Sequence, residues 1–137
     1  MKTTSLNSSS KVNSFDHDQY QYQYQYQYLY LTTRGRKSGL PREIEIWFTY
    51  REGRFYLIAE YATSNWIRNL GTHPEAHLRV AGKSFAVRAR TVSAENEPEL
   101  HRAIADLARM KYGWGDGTVV ELEPVSAGIA DTEALTF

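Results

Sequence analysis

The chain has 137 residues, no cysteine, and 16 Lys plus Arg against 16 Asp plus Glu, which excludes disulfides, thiolate nucleophiles and cysteine-bound metals. Zero formal charge removes any global field toward nucleic acid or an anionic membrane, so basic function must be local. The length suits one domain, and no run reaches the roughly 18 apolar residues of a membrane-crossing helix; a cytoplasmic protein without stable membrane insertion is the expectation.

Residues 1–18 are polar, aperiodic and rich in Ser, Asn and Thr, and are expected to form a disordered tail. Met1 to Ser14 also lacks the apolar centre of a secretory signal. Gln19 to Tyr28 is five Gln-Tyr units, whose period of two puts every tyrosine on one face of an extended strand. That segment is read as lead-in to the first barrel strand, with an aromatic platform as the alternative. Its register is poorly specified, since a slip by two restores the same pattern.

Short strand-like runs and turn signals follow. Leu29 to Thr33 and Arg42 to Tyr50 read as a hairpin around a basic tip, with Ile44, Ile46, Phe48 and Tyr50 on one face. Arg51-Glu52-Gly53 turns the chain into Arg54 to Tyr61, where Phe55, Leu57 and Ala59 oppose Tyr56 and Ile58. Thr63 or Ser64 is placed to cap a short helix through Leu70, with Gly71 just past its end and Pro74 blocking continuation. Strands at His77 to Val80 and Ser84 to Val92 flank Ala81-Gly82-Lys83. A second helix is predicted from an Asn96/Glu99 capping box, with Leu100, Ala103, Ile104, Leu107 and Ala108 as its apolar stripe and Gly113 as its end. Thr118 to Glu123 is the last predicted strand, and 125–137 reads as a loose C-terminal tail. Five or six mostly antiparallel strands with inserted helices cannot build a doubly wound sheet. A small barrel over 19–124 is the expected closure, and it removes exposed strand edges.

The chemistry concentrates in Arg34-Gly35-Arg36-Lys37-Ser38-Gly39-Leu40-Pro41-Arg42. Four cations, a hydroxyl and two glycines within nine residues suit a phosphate or several carboxylates. A solvated basic turn is the bland alternative. The spacing matches neither a Walker loop nor a dinucleotide fingerprint. The four histidines are scattered, so neither a metal site nor a histidine-based triad is expected.

With its flanks, Leu31 to Phe48 resembles the opening of deazaflavin-dependent nitroreductases and quinone reductases, where Thr-Thr, Gly-Arg-Lys-Ser-Gly and Pro-Arg recur. Asn65-Trp66-Ile67-Arg68-Asn69-Leu70 followed by His73-Pro74 is similar to that family's Trp-x-x-Asn-Leu helix. The resemblance spans about Tyr28 to Glu123. It implies a mainly β, α+β split barrel related to pyridoxamine-phosphate oxidases and flavin reductases. It also implies an oxidoreductase of nitroreductase type that uses coenzyme F420, a deazaflavin carrying a phosphate and an oligoglutamate tail. Arg34, Arg36, Lys37, Ser38, Gly39 and Arg42 would hold the phosphate and tail. Asn65, Trp66, Arg68 and Asn69 would lie near the cofactor, although Trp66 also suits core packing, Asn69 a backbone contact and Arg68 solvent. Trp47 faces either a cofactor cleft or ordinary packing. Tyr61 and Tyr112 are candidate proton donors or gates, with ordinary packing as the alternative. Departures from the family pattern are the glycine-free Glu60 to Asn65 segment and the Gln-Tyr repeat.

The function expected is hydride transfer from reduced F420 to a nitro, quinone or activated-alkene substrate. FMN on the same barrel is an alternative, because a basic turn does not distinguish ribityl phosphate from the longer tail. A non-catalytic flavin or anion-binding protein is a second alternative. The expected partners are the cofactor and a small molecule, with no nucleic acid and with a homodimer left open.

Overall fold

The edge strands of the sheet are neighbours in sequence, and that connection makes the sheet curl. In a computed structural model, which describes residues 14–130, β1 (Tyr28–Arg34) pairs with β2 (Pro41–Trp47) in the expected hairpin, from Tyr28 opposite Trp47 to Arg34 opposite Pro41. Only Phe48 separates β2 from β3 (Thr49–Arg51). Continuing the chain are β4 (Arg54–Ala59), β5 (Glu75–Val80), β6 (Lys83–Val92), β7 (Thr118–Pro124) and β8 (Ile129–Ala130). The antiparallel order is β2-β1-β5-β6-β7-β4-β3, with β8 added beside β6. Since β2 and β3 end opposite sides of this order while joined by one residue, the sheet closes on itself as a half-barrel and leaves a split along the free edge of β2. This is the split β-barrel expected.

Strand alternation supplies two cores. Leu29, Leu31, Leu57, Leu78, Val87 and Leu122 point into the barrel with Phe48, Tyr50 and Phe55. On the other face of β4, Tyr56 packs with Val92, Val119 and Ile104 of the long helix, with Ile58 partly buried beside them. Successive residues of one strand thus serve both layers. Glu52-Gly53 and Ala81-Gly82 both have positive φ, the pairing typical of two-residue hairpin turns.

The helices are α1 (Ser14–Tyr20), α2 (Asn65–Thr72) and α3 (Pro98–Tyr112), with a π-helical turn at Gln21–Gln25. The Gln-Tyr segment is therefore helical until Gln25, a correction to the predicted strand. The reason lies in β3, an edge strand whose outward backbone groups need partners. Gln19 Nε2 donates to the Tyr50 carbonyl (2.6 Å), and the Tyr50 N–H donates to Gln23 Oε1 (2.8 Å). Two glutamines four apart on a helix thus replace a neighbouring strand. Gln23 Nε2 also donates to the Leu107 carbonyl (3.2 Å), so the wholly buried Gln23 ties β3 to α3. Tyr22 packs at a tilt against Tyr50 and Phe55, while Tyr20 and Tyr24 stay exposed. A strand would put Tyr22 and Gln23 on opposite faces; a helix buries both.

Three further boundaries differ from expectation. Ser64 is the N-cap of α2 without a side-chain cap, and Gly71 lies inside the last turn, so that His73 and Pro74 end the helix. The Asn96/Glu99 capping box does not form. Ser93 Oγ instead accepts from Glu95 and Asn96 N–H, and Pro98 occupies the first turn of α3, where its missing N–H costs no helical bond. The predicted strand from Arg42 to Tyr50 breaks at Phe48. Of the expected polar tail, 1–13 lies outside the described residues and 14–18 belong to α1. Past Pro124, Ile129–Ala130 pairs with β6, and 131–137 lies outside the described residues. Among the described residues, no helix is long and apolar enough to cross a membrane.

Candidate functional site

The basic turn is shaped by its own backbone. Gly39 N–H donates to the Gly35 carbonyl and Gly35 N–H to the Leu40 carbonyl, both at 2.8 Å, with Gly39 in the left-handed region at φ 74°. Ser38 Oγ accepts from Leu40 N–H at 3.1 Å, which ties the tip. The turn thereby aims Arg36 at α2. Asn69 Oδ1 accepts from both the Arg36 N–H (3.1 Å) and its guanidinium (2.9 Å), and Asn65 Oδ1 accepts from the same guanidinium at 3.3 Å. The Asn69 amide donates to Thr33 Oγ1 at 3.1 Å, so this buried residue locks β1, turn and helix together.

Between turn and helix lies a cleft of about 470 Å³. Arg36, Lys37, Ser38 and Arg42 line it from the hairpin, Thr33 and Gly35 from its base, Glu43 and Ile44 from β2, and Asn65, Trp66 and Asn69 from α2. Glu43 is held by Arg79 at 3.1 Å. Lys37 and Arg42, by contrast, form no ion pair among the described residues. The cleft is therefore locally cationic in a chain of zero net charge. Trp66 lines the cleft while packing on the barrel core.

A second cleft, also about 470 Å³, continues along β2. Its walls are Tyr28, Ile46, Trp47, Ile58 and Trp114, and its charged residues are Glu45 and Glu60. Trp47 lies here rather than in the first cleft, its ring stacked on Tyr112 at 4.4 Å and 4°.

Tyr112 itself is held at the strand break. Its hydroxyl lies 2.6 Å from the Gln27 carbonyl and 2.9 Å from that of Phe48, and it accepts from the Phe48 N–H at 3.1 Å. Burial pushes its pKa up to about 12. Lys111 donates to the Tyr22 (3.1 Å) and Phe48 (2.9 Å) carbonyls and sits 3.9 Å from the Phe48 ring centroid. Burial lowers its pKa to about 7. The end of α3 thus satisfies the main-chain groups that Phe48 loses by leaving the sheet.

The structure gathers Arg36, Lys37, Ser38, Arg42, Asn65, Trp66 and Asn69 in the first cleft. Arg34, Gly39 and Arg68 fall outside its lining, as do Tyr61, exposed one residue beyond Glu60, and Tyr112. Sequence reasoning missed Glu43, Ile44 and most of the second cleft. Strand alternation hinted at Glu43 and Glu45, but nothing local joined Ile58, Glu60 and Trp114. Among the described residues no three His, Asp or Glu side chains gather to hold a metal.

Comparison with known proteins bears on this arrangement. A family model described as F420H2-dependent quinone reductase matches residues 10–117. The haem storage protein HutZ from Vibrio cholerae superposes with a TM-score of 0.65 at 14% identity, over 85% of this chain and 94% of that one. The F420H2-dependent reductase FDR-A gives 0.59 at 19% identity, over 71% and 94%. A Listeria innocua protein provisionally assigned as a pyridoxamine 5'-phosphate oxidase gives 0.62 at 12% identity, over 83% and 95%. At such identities the structural likeness carries the fold alone. No curated protein matches the chain.

Proposed function

The chain belongs to the F420H2-dependent quinone reductase family, a family of oxidoreductases, and from that premise we propose that its first cleft binds the phosphate and glutamate tail of coenzyme F420. The observation that carries this reading is the Arg36 guanidinium, held by Asn69 and Asn65 at the lip of a cleft where Lys37 and Arg42 have no ion-pair partner among the described residues. A guanidinium fixed in advance loses less entropy on meeting an anion. Each charge-assisted hydrogen bond contributes about 1.5–3 kcal/mol before desolvation. Ser38 adds a hydroxyl to the same anion site, and Trp66 walls the cleft beside it.

At about 3.3 Å per strand residue, the run from Arg42 to Trp47 extends roughly 17 Å. An extended cofactor anchored at the basic end therefore brings its ring to the near edge of the aromatic second cleft. Deazaflavin, when bound, supplies a hydride for a nitro, quinone or activated-alkene acceptor. The protein's own part is to orient: the turn fixes the cofactor's anionic end, and Trp47, held flat by Tyr112, offers an apolar wall to the acceptor beyond its ring. Of the two candidate tyrosines, Tyr61 is the better placed to approach an acceptor, because it follows Glu60 and is exposed. Tyr112 acts on structure, its hydroxyl being engaged by backbone.

FMN remains the second reading, since its phosphate suits the same cations. Titration of the purified protein with F420 and with FMN separates the two. F420 is expected to bind more tightly, and tighter FMN binding would reverse the assignment.

A further inference from the structure

The two clefts differ in charge. The first is lined by Arg36, Lys37 and Arg42, the second by Glu45 and Glu60 with no lysine or arginine in its lining among the described residues. We propose that the second cleft is an acceptor site selective for flat aromatic molecules that are neutral or cationic, with Glu45 and Glu60 as its specificity-determining residues. The proposal rests on the reading of the first cleft for the word acceptor, and on the second cleft's own lining for the selectivity.

The walls suit a flat ring. Trp47 is 41% exposed and Tyr28 43%, so both keep open aromatic surface, and the Tyr112 stack holds the Trp47 plane. Ile46, Ile58 and Trp114 complete an apolar lining. Aromatic faces attract cations through their quadrupoles, tryptophan most of all.

The carboxylates add to this. Glu45 accepts the Tyr30 hydroxyl on Oε2 at 2.7 Å, which fixes the side chain. Glu60 is exposed and forms no hydrogen bond or ion pair among the described residues. Arg79, which stacks on the Tyr30 ring, is committed to Glu43 instead. A ligand carboxylate or sulfonate would meet two like charges with no compensating cation in the lining. A quaternary nitrogen would meet two opposite charges and indole faces.

The test uses one ring with three charges: N-methylquinolinium, quinoline and quinoline-6-sulfonate, titrated calorimetrically into the full chain saturated with oxidised F420, which has no hydride to give. The cation is expected to bind about tenfold more tightly than the sulfonate at low salt, with quinoline between them. In the double variant Glu45→Gln, Glu60→Gln that ratio should fall close to one, while F420 affinity, measured separately, stays unchanged. Equal affinities, a preference that survives the double substitution, or probe binding that appears only in the absence of F420 would each overturn the proposal. Failure of F420 to bind at all would instead strike the reading of the first cleft.

Discussion

Asn69 holds Arg36 through a single oxygen that accepts from the arginine's own N–H at 3.1 Å and from its guanidinium at 2.9 Å. The opposite end of the same amide donates to Thr33. On the proposed reading of the cleft, Asn69 touches no anion itself and serves as a positioning residue for Arg36. Replacing it with alanine leaves a buried Thr33 hydroxyl and the Arg36 N–H without partners, at a cost of about 1–3 kcal/mol in stability. Binding of F420 is expected to weaken by about tenfold, because the guanidinium loses its shorter bond and is held only by Asn65. Chemical denaturation and cofactor titration of Asn69→Ala check both. Lost stability with unchanged affinity would leave Asn69 a purely structural residue.

The Gln-Tyr repeat should split by position. Gln23→Ala strips the Tyr50 N–H of its partner at a wholly buried site and removes a second bond to the Leu107 carbonyl, which keeps its helical one. Destabilisation of about 1–3 kcal/mol is expected, from one buried N–H left unsatisfied. Tyr24→Ser, on the exposed side of the same turn, should change stability by no more than about 0.5 kcal/mol. Thermal or urea unfolding of the two variants measures the contrast.

Lys111 should make stability rise with pH above neutrality. Burial lowers its folded pKa to about 7 from the ordinary 10.5. Between those values the unfolded chain holds a proton that the folded chain has released, so the unfolded state binds more protons and stability climbs with pH. Below about 7 both states are protonated and the burial penalty is fully present. Lys111→Met should flatten the slope between about pH 7 and about pH 9.5, short of the range where buried tyrosines ionise. A variant with the same slope as the parent would show that Lys111 keeps an ordinary pKa.

Gly117 brings β7 against β4. Its φ is 149°, and a Cβ added there would stand 2.4 Å from the Ala59 carbonyl oxygen. Because the obstacle is backbone, it cannot swing aside. Gly117→Ala is expected to lower stability by more than about 2 kcal/mol, read from the shift of the unfolding midpoint. Gly71, inside α2 with open space around it, should gain stability on substitution by alanine, by roughly 0.5–1 kcal/mol.

The parts of the fold that could be read from the chain are those with local causes. Ile44 and Ile46 alternate on one strand face, Ile104 and Ala108 share a helix stripe, and the basic turn declares itself by composition. The Gln-Tyr segment departs from the strand expected because its pattern is compatible with either period, and the choice is made by the Tyr50 backbone some thirty residues away. The break at Phe48 has the same kind of cause, since Lys111 and Tyr112 satisfy it from the far end of α3. In the site, the cations and Trp66 were visible, but the contact of Arg36 with Asn69 was not. The second cleft was invisible as a unit, because strand, loop and helix end contribute Trp47, Glu60 and Trp114 from distant positions.

The central claim is that the Arg36-Lys37 corner is built for the anionic end of F420. Calorimetric titration of F420 into the parent chain and into Arg36→Ala and Lys37→Ala tests it most directly. Saturable binding to the parent, weakened by about tenfold or more in each variant with the unfolding midpoint nearly unchanged, is the predicted result. Affinity for F420 that survives both substitutions would contradict it.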